Sequence, residues 1–206
     1  MRPERIPLFP LNVVLLPGAA LPLHIFEPRY REMVKTCLEQ KSEFGMLLSL
    51  PKGLARMGCT AEILEVLNRQ EDGSMDILTI GRAPFRVLQL FTEADLLEGR
   101  VEYLEDREAS HSPAIHKELV ELYETCHTLV FGDYPKNLDA VDAQKPSYVI
   151  ASTLPLELVW KQQILESRTE ADRQARLVAY LRDWAPHLEK AASVRQRATG
   201  NGHGLN

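Results

Sequence analysis

What the chain has little of narrows its chemistry first. Its 206 residues contain no G-x-x-x-x-G-K-[ST] run to cradle nucleotide phosphates and no G-x-S-x-G nucleophile elbow. Serines, lysines and histidines are present, but no local pattern brings a base beside a nucleophile, so neither an enzyme nor a cofactor is expected. The three cysteines, Cys37, Cys59 and Cys126, are odd in number, far apart and never in a C-x-x-C pair. That argues against a disulfide framework or a zinc site and leaves buried free thiols in a reducing cytoplasm. Positive charge is also short: 24 Lys and Arg against 29 Asp and Glu give a formal net charge of −5, with a pI near 5.7. General nucleic-acid binding rests on clustered Lys and Arg, so no nucleic-acid partner is expected. No apolar run reaches the ~20 residues of a membrane helix; the longest, residues 13–26, is interrupted by Pro17, Pro22 and His24. Prolines also break the N-terminal MRPERIPLFP, and no small-residue cleavage pattern follows it, so it does not read as a secretory signal. The expectation is a cytoplasmic protein with no membrane partner.

Proline, by contrast, is plentiful where apolar residues concentrate. Residues 6–30, IPLFPLNVVLLPGAALPLHIFEPRY, hold five prolines in a run otherwise rich in Leu, Val, Ile and Phe. Proline removes a backbone donor, fixes φ and pushes the preceding residue toward extended backbone, so Pro7, Pro10, Pro17 and Pro22 are expected to chop the run into short strands with forced bends. Pro17-Gly18 reads as a turn. Pro28 then suits a first helical turn, and Tyr30, Met33, Val34, Cys37 and Leu38 recur at helical spacing, which predicts an amphipathic helix over 28–40 lying on a sheet. FGMLLSL, 44–50, is a short continuous apolar run ended by Pro51 and reads as a buried strand. Two extended runs then flank Asp72-Gly73, a dipeptide that supplies positive φ in a tight hairpin turn. Ala61, Ile63, Glu65 and Leu67 do not alternate cleanly, so periodicity alone leaves a helix over 61–68 in competition, but the Asp72-Gly73 turn decides for a strand. Arg100 to Leu104 alternates polar and apolar residues as a half-buried strand should.

After the polar stretch 105–112 the period changes from strand-like to helical, which places a domain boundary near Ser110. Ser112-Pro113 opens a helix whose stripe is Ile115, Leu119, Leu122, Cys126 and Leu129. Residues 132–146 are loop-like, and helical spacing resumes over 148–154 and 156–166 around Pro155. Thr169 with Asp172 resembles a capping box, and Leu177, Tyr180, Leu181 and Trp184 carry a final helix until Pro186 breaks or kinks it. The tail 198–206 is expected to be disordered. The predicted division is a β-rich part at 1–109, a helical part at 110–197, then the tail.

The order of these segments resembles the Lon protease substrate-binding domain, also found in free-standing bacterial proteins and in cereblon. The likeness rests on the proline-punctuated start with PLHIFEPRY, on Gly58-Cys59-Thr60-Ala61 before the DG turn, and on Gly81-Arg82-Ala83-Pro84-Phe85-Arg86-Val87, where Pro84 stands in the family's usual Arg position. Ile150-Ala151, then Lys161-Gln162-Gln163-Ile164-Leu165-Glu166, Ala171-Asp172-Arg173 and Leu177 complete it, over roughly residues 6–184. The resemblance implies an α+β protein: an N-terminal β-rich, PUA-like pseudo-barrel with one amphipathic helix, followed by a C-terminal α-helical bundle. It also implies a role in recognising polypeptides for an ATPase and protease.

Other constellations have simpler explanations. His111, His116 and His127 with Cys126 do not converge by spacing and read as ordinary histidines rather than metal ligands. Glu118, Glu121 and Glu124 read as a solvated helix face, and His24 as a structural histidine. The function expected is therefore a non-catalytic protein- or peptide-binding module, an adaptor for ATP-dependent proteolysis, with unfolded or extended polypeptides and a separate ATP-dependent protease as partners. A PUA-like RNA-binding module and a small-molecule-binding protein are the alternatives. If the apolar residues of helix 28–40 face the sheet, Arg29, Glu32 and Lys35 fall toward solvent beside the PLHIF strand, and they are the candidate polypeptide-binding residues.

Overall fold

The computed structural model of the chain describes residues 2–93, 95–107, 112–137 and 145–200. It forms two compact units, residues 1–106 with 151–168, and residues 107–150 with 169–206.

The first unit carries six strands: β1 (Arg5–Leu11), β2 (Ala20–Ile25), β3 (Phe44–Leu50), β4 (Gly53–Arg69), β5 (Met75–Glu93) and β6 (Leu96–Tyr103). β1 runs parallel to β3 and antiparallel to β6, β3 pairs with β4, β4 with β5, and β5 with β6. These pairings close a five-strand ring, and β2 adds to the first half of β5 as a sixth strand. Pro7, Pro10 and Pro22 lie inside strands rather than between them. β1 registers with β6 over Arg5–Pro7 and with β3 over Leu8–Leu11, so each proline of β1 has a side where its missing donor is not required, and Pro22 sits on the outermost strand. The Pro17-Gly18 turn forms as expected, with Gly18 at φ 78°.

Ile6, Leu8, Leu47, Phe85 and Val101 fill the ring. A five-strand ring has little internal room, which sets its composition. A Cβ on Gly45 would lie 2.6 Å from Leu8 Cδ2 and 2.7 Å from Phe85 Cζ, and one on Gly58 would lie 2.7 Å from Phe85 Cζ and press on the Met46 carbonyl. Glycine at these positions is what lets Phe85 occupy the centre. β3 is buried on both faces, as its unbroken apolar run predicts.

Helix α1 (Pro28–Gln40) has the predicted bounds. The DG hairpin also forms, but only Gly73 takes positive φ, at 81°. The Gly73 N–H reaches the Gln70 carbonyl at 3.0 Å, and the Asp72 carboxylate accepts from the Ser74 N–H at 2.8 Å and hydroxyl at 2.7 Å. Those contacts to Ser74 hold the Asp72 carboxyl below its ordinary pKa.

The competing helix over 61–68 is a strand whose alternation is broken by bulges. Ile63 pairs with Thr79 and Glu65 with Leu78, leaving Leu64 as an extra residue; Leu67 is extra in the same way between Val66 and Asn68. On β5, Leu88 is extra between Val87 and Gln89. All three bulged leucines are about half exposed (49%, 52% and 53%), because a bulge re-aims the side chain of the inserted residue. β6 begins at Leu96, four residues before the predicted Arg100.

The remaining helices are α2 (Pro113–Phe131), α3 (Pro146–Thr153), α4 (Leu158–Glu166) and α5 (Glu170–Gly200). In the second unit α2 packs along α5. The buried residues of α2 are Leu119, Tyr123 and Cys126, so Tyr123 takes the central place expected for Leu122, which is only half-buried. Burial pushes the Cys126 thiol up to about 11. Thr169 caps α5, its hydroxyl accepting from the Asp172 N–H at 3.0 Å. Pro186 does not end that helix. The carbonyl it leaves without a donor belongs to Arg182, an exposed residue where water can take the bond, and the helix continues to Gly200. The expected disordered tail therefore has helical backbone at 198–200, and 201–206 lie outside the described residues.

Candidate functional site around helix α1

Helix α1 is fixed from below and at both ends. Tyr30, Met33, Val34 and Cys37 are buried, with the Tyr30 ring 4.2 Å from that of Phe9 on β1 and Phe9 in turn 6.1 Å from Phe44. Leu38 is half-buried. Burial raises the Cys37 thiol pKa, with a contact from Ser42 opposing it. At the N-terminus Pro28 occupies the first turn, and the Glu27 carbonyl accepts from Tyr30 N–H and Arg31 N–H, both at 3.0 Å. At the C-terminus Lys41 takes the left-handed conformation, and Ser42 N–H returns to the Cys37 carbonyl at 3.0 Å.

Arg29, Glu32 and Lys35 are all exposed, as the helical spacing predicts, but they are not equivalent. Arg29 donates to Glu27 Oε2 at 2.7 and 3.0 Å and to the Asp95 carbonyl at 3.3 Å, and lies over the Tyr30 ring at 4.6 Å. Its bond to Glu27 raises its pKa further. Glu32 and Lys35 form a loose pair at 3.8 Å. Such exposed pairs are worth at most ~1 kcal/mol, so both heads remain available to a ligand.

An open cleft runs along each side of the helix. One, of about 560 Å³, lies toward the hairpin and is lined by Arg31, Lys35, Leu38, Arg69 and Met75 among others. The second, of about 470 Å³, lies toward β1 and β6 and includes Pro7, Arg29, Met33, Leu96 and Glu98. Glu32 borders both. Arg31 ties the helix to the hairpin tip by donating to the Asp72 carbonyl. The arrangement offers apolar floors and polar rims, and both clefts are open.

Among the described residues no group of three or more His, Cys, Asp or Glu could hold a metal ion, and no helix is long and apolar enough to cross a membrane. His111 lies outside the described residues. His127 Nδ1 is 3.0 Å from the Asp133 carbonyl. Glu118 pairs with Arg182, and Glu121 with Lys117 at 3.8 Å, as surface carboxylates do. His24 on β2 pairs with Asp76 at 2.7 Å and stacks with the exposed Phe26.

Two polar groups of consequence escaped the reading from sequence. Buried Gln162 of α4 donates to the Met57 carbonyl on β4 at 3.1 Å and to Glu166 at 2.8 Å, which gives the K-Q-x-L-L-E segment a physical role in docking α4 on the sheet. In the second unit a fully buried Arg173 donates to Glu170 at 2.8 Å and to Ser147 Oγ at 2.9 Å, and lies 4.4 Å from the centre of the Tyr148 ring. Glu170 is a helical neighbour three residues away, but Ser147 lies 26 residues away, and that part of the burial is invisible in a local pattern.

The comparisons with known proteins agree with the fold. The chain belongs to the family described as the ATP-dependent protease La (LON) substrate-binding domain, which matches residues 5–183. It is 26% identical to the Lon protease of Parabacteroides distasonis over 94% of this chain and 26% of that protein. It is 35% identical to protein cereblon of Xenopus tropicalis over 50% of this chain and 25% of that protein. The chain thus spans about a quarter of the length of the curated relatives it matches. The crystal structure of the Lon N-terminal domain protein from Xanthomonas campestris superposes with a TM-score of 0.70 at 27% identity, covering 85% of this chain and 98% of that one. The N-terminal domain of Mycobacterium avium complex Lon protease, at 19% identity and a TM-score of 0.65, covers 87% of this chain and shares the fold.

Proposed function

We propose that the chain is a non-catalytic reader of unfolded or extended polypeptide, which it holds along α1, and that it serves as an adaptor for a separate ATP-dependent protease. The observation that carries this reading is the pair of open clefts on either side of one helix, with Arg29, Glu32 and Lys35 on the ridge between and beside them. The family's own description as a substrate-binding domain points the same way. So do the exposed apolar side chains of the β-rich unit, Phe26, Leu64, Leu67, Leu88 and Leu90. An RNA-binding role, drawn from the implied PUA-like topology, is less favoured because aromatic residues are few and the net charge is negative. A small-molecule site would want an enclosed pocket, and the clefts along α1 are open.

The test is fluorescence anisotropy with a labelled, permanently unfolded polypeptide, a folded protein of similar size and a single-stranded RNA as separate probes. The expected result is saturable binding of the unfolded chain, with neither of the others bound. Preference for RNA would replace this reading with its alternative.

A further inference from the structure

The clefts on the two sides of α1 differ in how their charges are already engaged. On the β6 side Arg29 is held by Glu27 and Glu98 by Arg5, so opposite charges cancel at the rim. On the hairpin side they do not. Arg31 donates to the Asp72 backbone carbonyl and also acts on the Asp72 carboxylate, whose pKa it helps to lower, so its charge is offset only in part. Lys35 has only its loose 3.8 Å approach to Glu32, and both side chains are largely exposed (61% and 72%). Arg69, at the end of β4, is exposed and makes no ion pair with another described residue. Arg69 and the loosely paired Lys35 thus border this cleft over an apolar floor of Leu38 and Met75, with Glu32 and Glu39 also on its rim.

Resting on the reading of α1 as a polypeptide-binding element, we propose that the hairpin-side cleft selects extended segments in which an apolar side chain is flanked by carboxylates. In extended backbone, side chains two apart point the same way. A segment of the form acid–x–apolar–x–acid therefore sets its apolar residue on Leu38 and Met75 while its carboxylates meet Arg69 and Lys35. A lysine-rich segment of the same hydrophobicity is repelled. The β6-side cleft, with its charges paired internally, contributes apolar contact but no such preference.

The experiment uses the full chain and three fluorescein-labelled peptides of about ten residues, long enough to cross the cleft in extended form. One repeats Asp-Ser-Leu-Ser-Asp, the second replaces Asp by Asn, the third by Lys. Expected is the order Asp, then Asn, then Lys, with the Asp preference shrinking as salt rises, because rim charges are screened. R69E should weaken the Asp peptide about five- to tenfold and R69A less, and both should change the Asn peptide little, since reversal turns an exposed attraction into a repulsion and truncation only removes it. Unchanged circular dichroism would exclude misfolding as the cause. Asn and Asp peptides that bind equally, or variants that lose both alike, overturn the charge preference while leaving polypeptide binding intact. Failure of every peptide and of a labelled unfolded polypeptide would instead remove the reading on which the proposal rests.

Discussion

The interior of the strand ring and the outer flank of α1 are made by the same stretch of chain, yet they are built to opposite requirements. β1 sends Ile6 and Leu8 into a space so tight that Gly45 and Gly58 must lack side chains opposite Phe85. Some twenty residues on, α1 leaves an open cleft on each side and charged groups that are loosely paired at most on the hairpin side. Close packing fixes a shape but leaves no room for a ligand. An open flank contributes little to stability and for that reason is free to be shaped by recognition. Substitutions inside the ring should therefore change stability, and substitutions on the flank should change binding, with little crossover.

The largest effect is expected from Phe85→Ala. Removing the ring's central side chain should cost about 3–5 kcal/mol, read from the urea midpoint, because the closed pairings limit collapse around the cavity. A loss under about 1 kcal/mol would show that the interior is not close-packed. Gly58→Ala adds a single methyl group in the same place and should cost about 1–3 kcal/mol by overpacking, since one of the atoms it meets is backbone and cannot swing away. Gly73→Val tests the hairpin at the edge of the flank. It should cost at least ~1 kcal/mol, because a β-branched residue is strained at a φ of 81°, and its side chain also meets the Arg31 guanidinium. The smallest effect on stability is expected from the triple variant R29A/E32A/K35A. The exposed positions should together cost no more than about 1 kcal/mol, most of it from the Arg29 contacts to Glu27 and Asp95.

The elements that were legible in the sequence are those whose signals are local. Pro28 and the spacing of Tyr30, Met33, Val34 and Cys37 define α1 to the residue, the apolar run 44–50 defines β3, and Asp72-Gly73 places the hairpin. Where alternation failed over 61–68, the cause is the extra residues Leu64 and Leu67, which shift the face of everything after them; a period-2 test cannot recognise two insertions so close together. Tyr123 displaced Leu122 from the α2 seam because the stripe facing α5 follows 119, 123 and 126, and a polar-tipped aromatic was not counted as core. Its hydroxyl is satisfied by Asn137 at 2.6 Å. Of the two outcomes expected at Pro186, a break does not occur, because ending the helix depends on whether the freed carbonyl is wet, which is a property of the folded chain. For the candidate site, exposure of Arg29, Glu32 and Lys35 followed from helical spacing. The clefts did not, since Arg69, Met75 and Leu96 reach α1 only through the hairpin and β6.

Parent and R29A/E32A/K35A proteins, compared in their binding of one labelled, permanently unfolded polypeptide, show whether polypeptide is held along α1. Fluorescence anisotropy gives the affinities and thermal unfolding gives the stabilities of the same samples. Expected is a clearly weakened affinity with nearly unchanged unfolding. Equal binding by variant and parent, at equal stability, would contradict it and remove this face of the helix from the site.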